Sequence, residues 1–204
     1  MQPKILAISG SSRRGSLNQK LLNEATKGAS LARASVSSVC LFNLQLPIYD
    51  GDWEVTHGLP EGARSLRRLI AESDALLIAT PEHNGGYTAM LKNAIDWASR
   101  PDATATSDID VFKGKLAAVI SASPGLFGGA RSQLALHVIL QKLGVLVIPE
   151  TFALGSAHQA FDTEGALTDP GVQKQVRAVG EALARTTKAL IRGRLADASA
   201  AIAA

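Results

Sequence analysis

Three stretches of this chain place small, hydroxylic and charged residues where apolar runs end. The first reads GSSRRGSLN and spans residues 10–18. Ser11, Ser16 and Asn18 offer neutral hydrogen bonds there, and Arg13 offers a charged one. A helical pattern begins near Leu17, and the free N–H groups of a helix start attract an anion. This set suits a phosphate. Ser16 and Gln19 also have the S-x-x-Q spacing of a capping box, so helix capping alone is the competing reading.

The second stretch, TPEHNGGY, spans residues 80–87. Pro81 stiffens the exit of an apolar run, and Gly85 and Gly86 permit close approach to a planar ring. Exposed peptide groups in such a turn suit the polar edge of a planar heterocycle. Asn84-Gly85 has hairpin-turn composition, but the helical pattern over residues 89–97 argues against a hairpin. The third stretch, SASPGLFGGAR, covers residues 121–131 and again precedes a helical pattern. Its helix start favours negative charge on a bound ring.

The elements that must position these turns follow from periodicity. Apolar runs at residues 4–9, 35–42, 75–79, 116–121 and 145–148 read as strands. Helical spacing appears over residues 17–32, 60–72, 88–99, 130–143 and 171–192. Strands apolar on nearly every residue, each followed by a helix, imply a parallel sheet covered on both faces. The expected fold is α/β: a flavodoxin-like, doubly wound, five-stranded parallel sheet in the order 2-1-3-4-5. A single domain is expected over residues 1–194, with an Ala-rich tail at 195–204 that frays or extends the last helix. Long connections at residues 43–59, 100–113 and 150–170 are candidate binding loops, lids or interfaces.

Open sheets of this order bind ligands where strand order reverses, between strands one and three. The first two stretches sit there and the third lies beside them. A P-loop needs G-x-x-x-x-G-K-[ST]; Gly10 and Gly15 have the spacing, but Ser16 stands at the lysine position. A dinucleotide turn needs G-x-G-x-x-G and a later acid, and neither is present. Acidic residues of a receiver domain are missing, as is a G-x-S-x-G nucleophile elbow. A cysteine phosphatase needs its thiol in the first turn, whereas Cys40 lies elsewhere and reads as a buried core residue. A mononucleotide with a terminal phosphate remains, and FMN is a common guest of this topology.

In order and spacing, GSSRRGSLN, PEHNGGYTAMLKNAIDW and SASPGLFGGAR resemble the NADPH-dependent FMN reductases, a group with azo, quinone and chromate reductases among its members. The resemblance covers residues 4–149. It implies bound FMN, NADPH or NADH as co-substrate, and a homodimer or homotetramer. By position, it implies that Ser11, Arg13, Ser16, Leu17 and Asn18 hold the phosphate. Pro81, Glu82, His83, Asn84 and Gly85 match the isoalloxazine loop, and Ser123, Gly125 and Gly128 fall in a third flavin-facing loop. His83 departs from the family, which usually has Tyr there. If the backbone alone meets flavin the change is neutral; if the ring shapes the substrate pocket, acceptor preference shifts.

Other residues have plainer readings. His57, His137 and His158 read as structural or solvent-facing. Lys92 and Asp96 have the i,i+4 spacing of a solvated ion pair. Trp97 reads as core or interface. Asp52 and Trp53, in the second connection, either cover the flavin, meet a partner subunit or lie on a bland surface. Arg13 or Arg14 is a candidate for the 2′-phosphate of NADPH.

The 204 residues are 46% hydrophobic and 19% charged, enough for a sizeable core. No apolar run approaches the roughly 18 residues of a membrane span. One cysteine excludes an internal disulfide framework and a Cys-based zinc site. The net charge of +3 is scattered, which mildly favours anionic ligands and does not point to nucleic acid. The start, Met-Gln-Pro-Lys, lacks a signal-peptide pattern, so a cytoplasmic location is expected. The expected function is hydride transfer from NAD(P)H through FMN to a flavin, quinone, azo or similar small acceptor. No catalytic triad or metal is expected, because hydride chemistry belongs to the cofactor. A flavodoxin-type electron carrier and an FMN-binding regulatory protein are the alternatives.

Overall fold

The computed structural model describes residues 1–102 and 110–203. β1 (Lys4–Ser9), β3 (Ala75–Ala79) and β4 (Leu116–Ala122) are buried at almost every position. Strands buried on both faces must lie inside a covered parallel sheet. β2 (Ser35–Cys40) is half-buried at Val36 and Val39 and otherwise exposed, as an edge strand should be. All pairs are parallel, and Ile5 lies opposite both Val36 and Ala75. The order is β2-β1-β3-β4-β5, as expected, with β5 (Leu146–Val147) at the far edge.

The fifth position departs from the single strand expected at residues 145–148. Two segments fill it: β5 pairs with the start of β4, and β6 (Phe152–Leu154) pairs with its end. Pro149 lies between them. It has no N–H to give the ladder, so pairing breaks there. Strand two is also shorter than expected. It stops at Cys40, and Leu41–Leu44 form a 3-10 turn that ends with Gln45 at φ 48°. Cys40, expected in the core, is exposed because β2 is an edge.

Helices cover both faces. α1 (Leu17–Leu31) and α6 (Pro170–Ala203) pack on one face against Ile5, Ala7, Leu77 and Ile120. They cross closely: a Cβ on Gly28 would lie 1.9 Å from the Arg177 carbonyl oxygen. α3 (Glu61–Ala71), α4 (Ala89–Ala98) and α5 (Ala130–Lys142) pack on the other face against Leu6, Ile8, Ile78 and Val119. Each fully buried leucine or isoleucine here is worth about 1.5–3 kcal/mol relative to exposure. The alternation along each strand thus fixes which helices it serves.

The connection at residues 43–59 holds an element that periodicity did not reveal, α2 (Gly51–His57). The Asp50 carboxylate caps it, accepting from the amides of Asp52 and Trp53. Trp53 stacks on His57 and meets Trp97 edge-on at 5.7 Å. Trp97 is fully buried and its Nε1–H donates to the Pro47 carbonyl at 2.8 Å. Lys92 and Asp96 form the expected ion pair, at 2.7 Å. Half of the connection expected at residues 100–113 lies outside the described residues. Among the described residues, no helix is long and apolar enough to cross a membrane.

Candidate functional site

The C-terminal ends of β1, β3 and β4 feed three turns that surround one cleft of about 590 Å³. That size lies within the range of small-molecule and cofactor sites.

The first turn ends on α1. Ser16 caps the helix, its Oγ accepting from the Gln19 amide at 3.2 Å. The capping reading is therefore half realised, because the Gln19 side chain instead donates to Asn23. Capping uses one lone pair of Ser16 and leaves its O–H free to donate. The amides of Leu17 and Asn18 have no acceptor among the described residues, as expected at the first turn of a helix. Gly15 takes φ 70°, which a side chain rarely tolerates. Arg13 stands exposed beside these amides on the cleft.

Asn18 behaves differently from the sequence expectation of a simple phosphate donor. Its side chain is buried and pairs with the Ala122 peptide. Nδ2 donates to the carbonyl at 2.8 Å, and Oδ1 accepts the amide at 2.9 Å. The first turn is thereby clamped to the third. Gly10 joins the first turn to the second: its carbonyl accepts from the Thr88 hydroxyl at 2.7 Å. A Cβ on Gly10 would meet Leu91 at 3.2 Å and Pro81 at 3.4 Å, so the first turn packs closely against the second.

In the second turn, Pro81, Glu82 and His83 line the cleft. The Glu82 Oε1 is 2.5 Å from the Arg131 guanidinium at the start of α5, so an ion pair ties the second turn to the third. The other carboxylate oxygen, Oε2, is buried and has no hydrogen-bond partner. Asn84 and Gly85 form the tip of a tight turn with φ 53° and 82°, closed by reciprocal hydrogen bonds between His83 and Gly86. The hairpin-like turn argued against above does form, as a single bridge before α4 rather than between long strands.

In the third turn, Ser123 and Pro124 line the cleft. Gly125 and Gly128 do not, and Gly128 packs so tightly that a Cβ would lie 2.6 Å from the Ala153 carbonyl carbon. The start of α5, expected near the ring, does not line the cleft either. Ser123 accepts the Ala157 amide at 3.0 Å, which fastens the 3-10 turn Ala157–Gln159 beside it.

The structure therefore brings together Ser11, Arg13, Ser16, Leu17, Asn18, Pro81, Glu82, His83 and Ser123. It leaves Asn84, Gly85, Gly125 and Gly128 outside the lining. Sequence reasoning missed Thr88, Met90 and His158, which also face the cleft. Thr88 carried a signal, since a Thr before an apolar helical run marks an N-cap. His158 carried none, lying in a connection without periodicity. Trp53 belongs to the Trp97 cluster and not to the lining.

These residues fit a flavin mononucleotide. Helix amides, the Ser16 hydroxyl and Arg13 suit a phosphate at one end. Pro81, His83, Met90 and Pro124 line the rest of the cleft, whose volume leaves room for a flat ring. Among the described residues, no group of histidine, cysteine and carboxylate side chains is arranged to hold a metal ion.

A parallel sheet of this order with a phosphate-ready cleft at its reversal point defines a flavodoxin-like nucleotide-binding protein. The sequence pattern of the NADPH-dependent FMN reductases matches residues 3–159, and the chain belongs to that family. It is 40% identical over 186 residues to an NAD(P)H-dependent FMN reductase of Pseudomonas aeruginosa, covering 88% of this chain and 92% of that one. It is 38% identical over 183 residues to an NAD(P)H:quinone oxidoreductase of Solanum tuberosum, covering 86% and 88%. Its structure resembles FerB, a flavoenzyme NAD(P)H:(acceptor) oxidoreductase from Paracoccus denitrificans, with a TM-score of 0.77 and 33% identity over 91% of this chain and 97% of that one.

Proposed function

We propose that this protein is an FMN-dependent oxidoreductase that uses NAD(P)H to reduce a small acceptor of the quinone or flavin class. The observation that carries the reading is the convergence of three mutually bonded turns on one cleft, with the α1 start, the Ser16 hydroxyl and Arg13 at one end of it. When bound, FMN supplies the hydride chemistry; the chain supplies position and charge. Ser16, Arg13 and the amides of Leu17 and Asn18 hold the phosphate. Pro81, Glu82 and Ser123 frame the ring. The Asn18, Thr88 and Glu82 links keep the turns at a fixed spacing, which preorganises the cleft before any ligand arrives.

Nicotinamide and acceptor both need the open side of the ring, so they take turns there. Initial-rate measurements with NADPH, NADH and a panel of quinones, flavins and azo compounds test this. Double-reciprocal plots at several fixed acceptor concentrations are expected to be parallel. Intersecting lines, together with a demonstrated ternary complex, would mean two separate sites. Failure to turn over any acceptor would favour an electron carrier or a regulatory protein.

The assembly we propose is a homo-oligomer, a dimer or a tetramer, in the cytoplasm. Leu126, Phe127, Leu134 and Val138 are each at least 66% exposed along the third turn and α5. An apolar face of that kind marks an interaction surface. Light scattering at micromolar concentration is expected to give at least twice the chain mass, and a fully active monomer would refute the assembly.

A further inference from the structure

We propose that the imidazole of His83 determines acceptor specificity, donating a hydrogen bond to the carbonyl oxygen of an aromatic acceptor such as a quinone. This rests on the reading of the cleft as an FMN-dependent oxidoreductase site.

The peptide of His83 is already committed. Its N–H donates to the Gly86 carbonyl at 2.9 Å, and its carbonyl accepts the Gly86 amide at 3.0 Å. The tip residues Asn84 and Gly85 stand outside the lining, yet His83 is part of it. With its peptide N–H used in the turn, the imidazole is the hydrogen-bond donor that His83 has left to offer the cleft.

The imidazole is also uncommitted. It has no hydrogen-bond or ionic partner among the described residues. Its neighbour Glu82, the nearest carboxylate in sequence, is held by Arg131 instead. The other histidine of the lining, His158, has its Nε2 3.1 Å from the Gln159 side-chain nitrogen. Pro81 and Glu82 are half-buried in the wall, whereas His83 is exposed. It is thus open to a second ligand that arrives after the cofactor.

A neutral imidazole carries one N–H donor in either tautomer, and both ring nitrogens donate when it is protonated. A quinone carbonyl is an acceptor only. The hydrogen bond strengthens as negative charge develops on that oxygen. His83 thus favours aromatic carbonyl acceptors over acceptors that lack such an oxygen.

The test is a titration of the oxidised, FMN-saturated protein, followed by perturbation of the flavin absorption band. Two redox-inert probes are compared: 4-hydroxybenzaldehyde, which has a carbonyl, and p-cresol, which does not. FMN content is measured first in every variant, and that value tests the cofactor reading separately. His83→Phe keeps a ring and removes the donor, whereas His83→Gln keeps an N–H donor. In His83→Phe the aldehyde is expected to bind about threefold to tenfold more weakly, with p-cresol changed by less than about twofold. His83→Gln is expected to stay within about twofold of the parent for both probes. The ratio of benzoquinone to ferricyanide kcat/KM should fall in His83→Phe. Equal weakening of both probes in His83→Phe, or no weakening of either, would overturn the proposal. So would a His83→Gln variant as impaired as His83→Phe.

Discussion

The side-chain amide of Asn18 clamps the peptide of Ala122, donating to its carbonyl at 2.8 Å and accepting its amide at 2.9 Å. One residue at the start of α1 thereby sets the distance between the first turn and the third. Asn18→Ala should loosen both, so FMN and riboflavin are expected to weaken together. Ser16→Ala removes a hydroxyl beside the proposed phosphate site. It should weaken FMN by about 1–2 kcal/mol and change the affinity for riboflavin, which has no phosphate, by less than about 0.3 kcal/mol. Competitive titration of the apoprotein with the two flavins checks both statements. A phosphate-selective loss in Asn18→Ala would give that residue a direct ligand role instead.

The crossing of α1 and α6 depends on two glycines. A Cβ on Gly180 would lie 2.0 Å from the Ala25 carbonyl oxygen, closer than any side chain tolerates. Gly180→Ala must push the helices apart. It is expected to cost about 1–3 kcal/mol and to lower Tm by about 2–12 °C. FMN stoichiometry should be retained, since the crossing lies away from the cleft. Thermal unfolding with parallel flavin quantification measures both.

Glu24 couples the same two helices. It is 3% exposed, with Arg177 Nε at 2.5 Å and Lys27 Nζ at 2.7 Å. Burial opposes its charge, but hydrogen bonds from Lys27 and Arg177 outweigh burial and hold its pKa below the ordinary carboxylate range. A depressed carboxylate stabilises the fold above its unfolded pKa of about 4.3, and that contribution is lost as pH falls through the lower folded value. Arg177→Leu should raise the folded pKa and shrink the loss of Tm seen on acidification below about pH 4.3. An unchanged acid limb would remove this ion pair from the account.

His137 works in a higher window. Its Nε2 is buried without a partner, and burial lowers its pKa. The unfolded chain takes up a proton near pH 6.5 that the folded chain refuses. Stability should therefore fall as pH drops from about 7 towards 5. His137→Leu should flatten the Tm profile over that interval while leaving the limb below about pH 4.3 in place.

Much of this arrangement is readable in the sequence because burial on both faces leaves a plain mark. β1, β3 and β4 are continuous apolar runs, so their order, their turns and the ligand-binding edge follow together. What was not readable has local causes. Pro149 splits the fifth strand, and an edge position turns Cys40 outward. A side-chain amide serves equally well for a phosphate or a peptide, so composition could not reveal that Asn18 binds Ala122. His158 reaches the cleft because the Ala157 amide bonds to Ser123 across 34 positions of sequence, a tertiary contact with no periodic signature.

The central claim is that the cleft holds FMN and that NAD(P)H reduces it there. Anaerobic titration of the purified, flavin-saturated protein with NADPH, and separately with NADH, tests it most directly. Extraction should recover about one FMN per chain, and about one equivalent of the preferred nicotinamide should bleach the visible flavin band with no acceptor present. Recovery of FAD, absence of flavin binding, or a band that neither nicotinamide bleaches would contradict it.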